Sequence, residues 1–332
     1  MKRKVKKILI TGGLGFIGSN FIKVALDNDI QIMNLDSLTY ASNKKVNKIF
    51  FKKKNYSFKK IDITSYKKVE TALLNFSPDV VVHMAAETHV DNSIIHPRIF
   101  INTNIIGTYN LLQASKVFFN TMVNRNFLFH HISTDEVYGS LDRKGLFDET
   151  SPYKPNSPYS ASKASSDHLV RAWGKTFGLP YLITNCSNNY GPYQNDEKLI
   201  PKIINCCIKK TSIPIFGDGK NVRDWIYVTD HIKTLLMLIK SARPFETYTI
   251  GGSNEISNLN LAHLICNIFD KLYPNIKKSR ELIKFVKDRK GHDFRYAISN
   301  KKLMKKFKNL PKKNFKLGIK ETIKFYVNNY NF

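Results

Sequence analysis

Near its N-terminus the chain runs Lys7-Ile8-Leu9-Ile10-Thr11 straight into Gly12-Gly13-Leu14-Gly15-Phe16-Ile17-Gly18, then into a helical apolar pattern through Phe21, Ile22, Val24, Ala25 and Leu26. No other stretch limits the fold so strongly. A short buried strand, a glycine turn and a helix start, in that order, place an anion site at the helix N-terminus. The glycines at 12, 15 and 18 let the backbone approach a pyrophosphate and let the helix pack on the strand. A second apolar strand, 31–35, ends in Asp36. An acidic side chain about 20 residues past such a turn hydrogen-bonds an adenosine ribose and repels a 2′-phosphate, which favours NAD over NADP.

The alternation continues. Strands are expected at 56–61, 80–84 and 181–184, and a helix at 98–116 carrying Asn102, Thr103 and Asn104. Small residues at Ala85 and Ala86 let a cofactor lie against the backbone. Strands alternating with helices predict a doubly wound parallel sheet of the α/β class. After residue 186 the alternation loosens into Pro- and Gly-punctuated loops, with 247–250 returning to the main sheet. The expected division is a nucleotide-binding domain at 1–186 plus about 225–252, and a smaller substrate-binding domain at 187–224 and 253–332. From residue 259 onward we expect helices and short strands packed over the cleft mouth.

The chemistry concentrates in 133–163. An apolar run through Phe127, Leu128 and Phe129 reads as a buried strand ending at Ile132, so Thr134, Asp135 and Glu136 are expected just past its carboxyl end, where open α/β sheets bind ligands. Two adjacent carboxylates can divide acid and base work if their environments separate their pKa values. Further on, Ser157 as N-cap and Pro158 at the first helical position start a helix. Tyr159 and Lys163 then share one face. A phenol near pKa about 10 is a poor base at neutral pH, and a nearby ammonium is expected to lower that value. Tyr-x-x-x-Lys is thus a device for taking a proton from a sugar hydroxyl.

Lys and Arg number 53 against 26 Asp and Glu, a formal charge of +27. The lysines are scattered in runs at 2–7, 44–54, 277–290 and 301–316, a solvated surface more than a nucleic-acid footprint, so no nucleic-acid partner is expected. The field still helps collect an anionic substrate. No apolar run is long enough to cross a bilayer, and the one after Lys2-Arg3-Lys4 is too short for a signal peptide. The expectation is a cytoplasmic protein with no membrane partner. Cys186, Cys206, Cys207 and Cys266 show no Cys-x-x-Cys spacing, so neither a metal site nor a disulfide framework is expected.

Taken together, these motifs resemble extended short-chain dehydrogenases/reductases acting on nucleotide sugars, and among them the dTDP-glucose 4,6-dehydratase family. The resemblance rests on the glycine turn and on Asp36-Ser37-Leu38-Thr39-Tyr40-Ala41. It continues in His83-Met84-Ala85-Ala86-Glu87-Thr88-His89-Val90-Asp91, Ser133-Thr134-Asp135-Glu136-Val137-Tyr138-Gly139 and Tyr159-Ser160-Ala161-Ser162-Lys163. It extends through Asn188-Asn189-Tyr190-Gly191-Pro192-Tyr193, Glu197-Lys198-Leu199-Ile200-Pro201, Pro214-Ile215-Phe216-Gly217-Asp218-Gly219, Arg223-Asp224-Trp225 and Asp288-Arg289-Lys290-Gly291-His292-Asp293, in order, from residue 8 to about 300.

The resemblance implies a Rossmann domain holding NAD through Gly12, Gly15, Phe16, Ile17, Gly18, Asp36, Asp62, Ile63, Ala85, Ala86, Thr103 and Asn189, with Tyr159 and Lys163 at the nicotinamide end. It implies that Tyr159 takes the proton of the sugar 4-hydroxyl, Glu136 the proton at C5, and that Asp135 protonates the departing C6 hydroxyl, with Thr134 and Thr88 on the glucose. Asn188, Lys198, Leu199, Pro214, Phe216, Arg223, Asn258, Asp288 and His292 would contact the nucleotide diphosphate, Arg223 as its clamp. A homodimer through helices at 98–116 and 158–177, and a product feeding deoxysugar synthesis such as rhamnose, are implied as well. Lys290 stands where the family usually has proline, and Phe216 where tyrosine is more usual, which leaves thymine against uracil open. A UDP-glucose 4,6-dehydratase is therefore the nearest alternative. A UDP-sugar 4-epimerase or a UDP-glucuronate decarboxylase would have no use for the Asp135–Glu136 pair. A non-catalytic NAD-sensing or nucleic-acid-binding protein would have no use for Tyr159 and Lys163 either.

Overall fold

The computed structural model describes residues 3–122, 126–274 and 278–329; Lys2, Lys277 and Phe332 of the runs and tail named above lie outside them. β1 (Lys7–Thr11), β2 (Gln31–Asp36) and β3 (Tyr56–Lys60) alternate with α1 (Phe16–Leu26), α2 (Lys44–Phe50) and α3 (Tyr66–Phe76). β4 (Val80–His83) leads through α4 (Val90–Ile95), α5 (Pro97–Phe100) and α6 (Gly107–Thr121) to β5 (Leu128–Thr134). α7 (Pro158–Phe177) and β6 (Tyr181–Cys186) follow. Next come β7 (Asn188–Tyr190), α8 (Leu199–Lys209), β8 (Ile213–Phe216), β9 (Val222–Tyr227), α9 (Val228–Ser241) and β10 (Glu246–Ile250). The chain continues with β11 (Glu255–Ser257), α10 (Asn258–Leu272), β12 (Ile283–Val286), α11 (Lys301–Lys306) and α12 (Phe315–Asn328).

Seven strands make one sheet in the order β10-β6-β5-β4-β1-β2-β3, and each pairing is parallel. Such strands are covered on both faces, which is why they read as near-continuous apolar runs. Ile8 and Ile10 pack with Phe21 of α1 and Leu235 of α9 on one face; Leu9 packs with Leu73 of α3, Leu111 of α6 and Val170 of α7 on the other. Burying each such side chain contributes about 1.5–3 kcal/mol. Strand order reverses between β1 and β4, and the crevice at that switch point lies beyond the strands' carboxyl ends.

Three expectations need correction. β5 does not end at Ile132: Ser133 and Thr134 still pair with Asn185 and Cys186 of β6, so Thr134 is the last strand residue and only Asp135 and Glu136 lie past the end. The helix expected at 98–116 is not uniform, because residues Ile101–Ile106 adopt π-helical hydrogen bonding between α5 and α6. The C-terminal stretch does not simply cover the cleft mouth. Its helices α10 and α12 need their own apolar partner and bury Ile265 and Ile323 against Ile203 of α8. α11 instead sends Leu303 into the main-sheet core and Lys302 to the Thr247 carbonyl of β10 at 2.8 Å, so part of 253–332 packs with the main sheet.

The other strands form small sheets: β9 pairs parallel with β7 and antiparallel with β11, and β8 pairs parallel with β12. No helix among the described residues is long and apolar enough to cross a membrane. The four cysteines are buried and free.

Candidate active site

The glycine turn is built by steric necessity. Gly12 has φ +69°, and a Cβ there would lie 2.6 Å from Ala85 Cα; at Gly18 it would lie 2.4 Å from Gly12 O. Gly15 is different. A Cβ there would meet only Gly12 O, at 3.3 Å, so this glycine faces open space beside the first amides of α1, which have no intrahelical partner. Asp36 ties the turn together: Leu14 N donates to Oδ2 at 2.9 Å, while Leu38 N and Ser42 Oγ donate to Oδ1 at 2.9 and 2.7 Å. A carboxylate offers about four acceptor positions, so capacity for a ribose hydroxyl remains.

A cavity of about 450 Å³ runs from this turn across the crevice. Gly12, Gly15, Phe16, Ile17, Gly18, Asp36, Asp62, Ile63, Ala85, Ala86, Thr103, Tyr159, Lys163 and Asn189 all line it, as do Thr88, Thr134, Asp135, Glu136, Asn188 and Lys198. An elongated slot with open glycine and helix-end amides at one end and an acid past β2 suits a dinucleotide. Asn189 is already held on both sides, its Oδ1 2.8 Å from His231 Nδ1 and its Nδ2 donating to Ser187 O at 3.0 Å.

At the other end lie the reactive groups. Asp135 is 1% exposed and its Oδ2 has no protein partner, while Thr134 Oγ1 donates to Oδ1 at 3.3 Å. Burial first, then the neighbouring Glu136, push the Asp135 carboxyl well above its usual range. Burial also raises Glu136, against the opposing charges of Arg223, Lys198 and Arg289. Ser157 caps α7 as expected, in a capping box with Ser160, and this aims Tyr159 and Lys163 into the cavity.

The surroundings of the Tyr–Lys pair differ from the expectation. Lys163 Nζ donates to the Ile132 carbonyl at 2.9 Å, and the Tyr159 phenol stands well above its usual value because of burial, Glu136 and Cys186. In the protein alone, desolvation outweighs whatever the ammonium offers. Lys163 itself is lowered to about 8, chiefly by burial.

Sequence reading gave Asn104 no role. It lies in the π-helical turn, a common device at functional sites. Its side chain joins the Glu87 backbone to Ser162: Glu87 N donates to Oδ1 at 2.8 Å, and Nδ2 donates to Glu87 O and to Ser162 Oγ at 3.0 and 2.8 Å. Its carbonyl accepts from Ser166 Oγ at 2.6 Å, which locks α7 against the turn.

Leu199, Pro214, Phe216, Arg223, Asn258, Asp288 and His292 do not line this cavity. Asp288 faces His292, Nδ1 to Oδ1 at 2.7 Å, and packs against Gly217. Arg223 is not a free clamp. It donates to the carbonyls of Val222, Phe294 and Asp293 and stacks on the Tyr296 ring at 4.4 Å. Its charge reaches Asp135 and Glu136 instead. The more accessible guanidinium is that of Arg289, which lies over the Phe216 ring at 5.1 Å and grips Asp91 in a two-pronged ion pair of 2.6 and 2.9 Å. The motif around residue 288 contained this arginine, but only the fold brings Asp91 to it.

The family model described as GDP-mannose 4,6 dehydratase matches residues 9–322. The chain belongs to this family. Within it, the chain is 45% identical to the dTDP-glucose 4,6-dehydratase of Salmonella typhimurium, covering 97% of this chain and 93% of that protein. The enzyme of the same name from Neisseria meningitidis is 44% identical, covering 98% of this chain and 94% of that protein. A solved dTDP-glucose 4,6-dehydratase from Bacillus anthracis, in complex with NAD, superposes with a TM-score of 0.88 at 40% identity, covering 98% of both chains.

Proposed function

We propose that this family member is an NAD-dependent hydro-lyase that converts dTDP-glucose to the 4-keto-6-deoxy sugar. The glycine turn and Asp36 would hold NAD, which would supply the hydride chemistry between C4 and C6. The chain's own residues move the protons. Tyr159 takes the proton of the 4-hydroxyl. The C4 ketone then acidifies C5, Glu136 removes the C5 proton, and Asp135 protonates the leaving C6 hydroxyl as water departs. Thr134 and Thr88 hold the glucose.

The observation that carries this reading is the buried Asp135 carboxyl, unpartnered at Oδ2 and raised toward its protonated form beside Glu136, on the same cavity wall as Tyr159. Hydroxide leaves poorly, and general acid help contributes about 10²–10⁴-fold. A 4-epimerase breaks no C–O bond at C6 and has no use for such an acid.

The nucleotide-binding part is taken as 1–186 and about 225–252, with α11 added; the sugar-nucleotide part is the remainder of 187–224 and 253–332. A homodimer is supported by apolar side chains that α4 and the π-helical turn expose, where Ile95 is 66% and Ile101 49% exposed. Free buried cysteines agree with a cytoplasmic setting.

The test is turnover of dTDP-glucose against UDP-glucose, read as the alkaline absorbance of a 4-keto sugar. Deuterium placed at C4 is expected at C6 of the same molecule. NADH released in step with product overturns the internal return of hydride.

A further inference from the structure

Lys163 is 5% exposed, and among the described residues its Nζ makes one protein hydrogen bond, to the neutral carbonyl of Ile132 at 2.9 Å. An ammonium buried without an opposite charge is costly. The groups that act on it are Asp167 on its own helix, His131 on β5, His83 on β4 and Cys186 on β6. Burial pushes the Cys186 thiol up to about 12, brings His131 down to about 4 and holds His83 well below its usual value, so all three are neutral at neutral pH. Tyr159 is neutral as well, and Asp135 and Glu136 are raised.

Asp167 is the exception. It is fully buried, one helical turn beyond Lys163, and it does not line the cavity. Tyr153 OH donates to its Oδ2 at 2.7 Å, Asn185 Nδ2 donates at 3.0 Å, and His131 Nε2 stands 3.2 Å from Oδ1. Arg171 donates in turn to Tyr153 OH at 2.7 Å. Burial alone raises this carboxyl, but His131, Lys163 and Tyr153 bring it down to about 2.

We infer that Asp167 is a positioning residue: held behind the cleft by Tyr153 and Asn185, one helical turn beyond Lys163, its carboxylate is the counter-charge that keeps the Lys163 ammonium charged and directed at the cavity. The inference rests on the proposed roles of Tyr159 and Lys163. The sign follows directly. Lys163 is charged below about 8 and loses its proton as pH rises through that value. Without the opposing charge the loss begins at lower pH.

The experiment is the pH profile of kcat/KM for dTDP-glucose with the NAD-loaded enzyme. The wild-type alkaline limb is expected near 8. In Asp167→Asn it should move down by about one unit or more, the scale of losing a nearby opposite charge. Asp167→Glu should restore most of its position. A rate that falls by the same factor at every pH overturns the inference, since a merely structural role scales the profile without moving it. If Asp167→Asn does not fold, the wild-type limb decides. A buried counter-charge leaves it fixed as salt rises from about 0.05 to about 0.5 M, over which the Debye length falls about threefold. A limb that moves with salt points to the surface lysines and overturns the inference. A wild type that makes no 4-keto sugar at any pH overturns the proposed function and this inference with it.

Discussion

The two sides of the cleft handle charge in opposite ways. At the end of β5 and along α7, Asp135, Lys163 and Asp167 are almost fully buried and are tuned by desolvation and by neighbouring charges and hydrogen bonds. At the mouth, Asp91, Arg289, Asp288, Lys198 and Glu197 are partly exposed and lie in ion pairs, Asp91 with Arg289, Asp288 with His292 and Lys198 with Glu197. The first arrangement shifts pKa values and resists salt. The second is adjustable, weakly stabilising and screened. A catalytic floor needs fixed protonation states; a mouth that must admit and release a charged nucleotide needs pairs that open.

Substitutions on the floor should have the largest effects. Tyr159→Phe should keep NAD bound, seen by its absorbance after gel filtration, yet lose about 10²–10⁴-fold in turnover or more. Near-normal turnover would place the base elsewhere. Asp135→Asn and Glu136→Gln should each lose about 10²–10⁴-fold with dTDP-glucose. They should separate with a substrate bearing fluorine at C6, which leaves without a proton. Asp135→Asn should recover there and still exchange the C5 hydrogen with solvent, whereas Glu136→Gln should do neither. Identical losses with both substrates refute the division between acid and base.

Asp36 lies between the two regimes, buried but facing the cofactor end of the cavity. Asp36→Ala should weaken NAD binding by about 1–3 kcal/mol, measured by calorimetry, through the ribose and through the Leu14, Leu38 and Ser42 bonds it now holds. Unchanged affinity would reduce Asp36 to a turn residue. The smallest effect belongs to the mouth. Arg289→Ala should raise KM several-fold with kcat nearly kept, consistent with at most about 1 kcal/mol for an exposed pair. That increase should shrink as salt rises. A salt-independent effect would mean that Arg289 acts as the floor residues do.

Much of the floor was readable beforehand because its signals are local. A strand, a glycine turn and a helix start are contiguous, Asp36 falls at the end of the next strand, and Tyr159 and Lys163 share a face as soon as Ser157 and Pro158 start the helix. Asp135 and Glu136 lie side by side at the close of an apolar run. The π-helical turn at Ile101–Ile106 left no trace, because a one-residue change in hydrogen-bond register does not alter the apolar pattern around it. Arg223 was placed on the diphosphate by resemblance and by the match of guanidinium to phosphate, and nothing local says that its donors meet three backbone carbonyls.

The sequence by itself determined the parallel α/β architecture, the dinucleotide turn and which titratable side chains stand beside the strand and helix ends, since each follows from neighbours along the chain. Tertiary structure decided their protonation. Tyr159 rises where an adjacent lysine suggested a fall, the Asp135 carboxyl is raised by burial, and Asp167 opposes the burial that lowers Lys163. Desolvation depends on every element packed around a group, and the Asp91–Arg289 pair joins residues 198 positions apart, so neither is written in any local stretch.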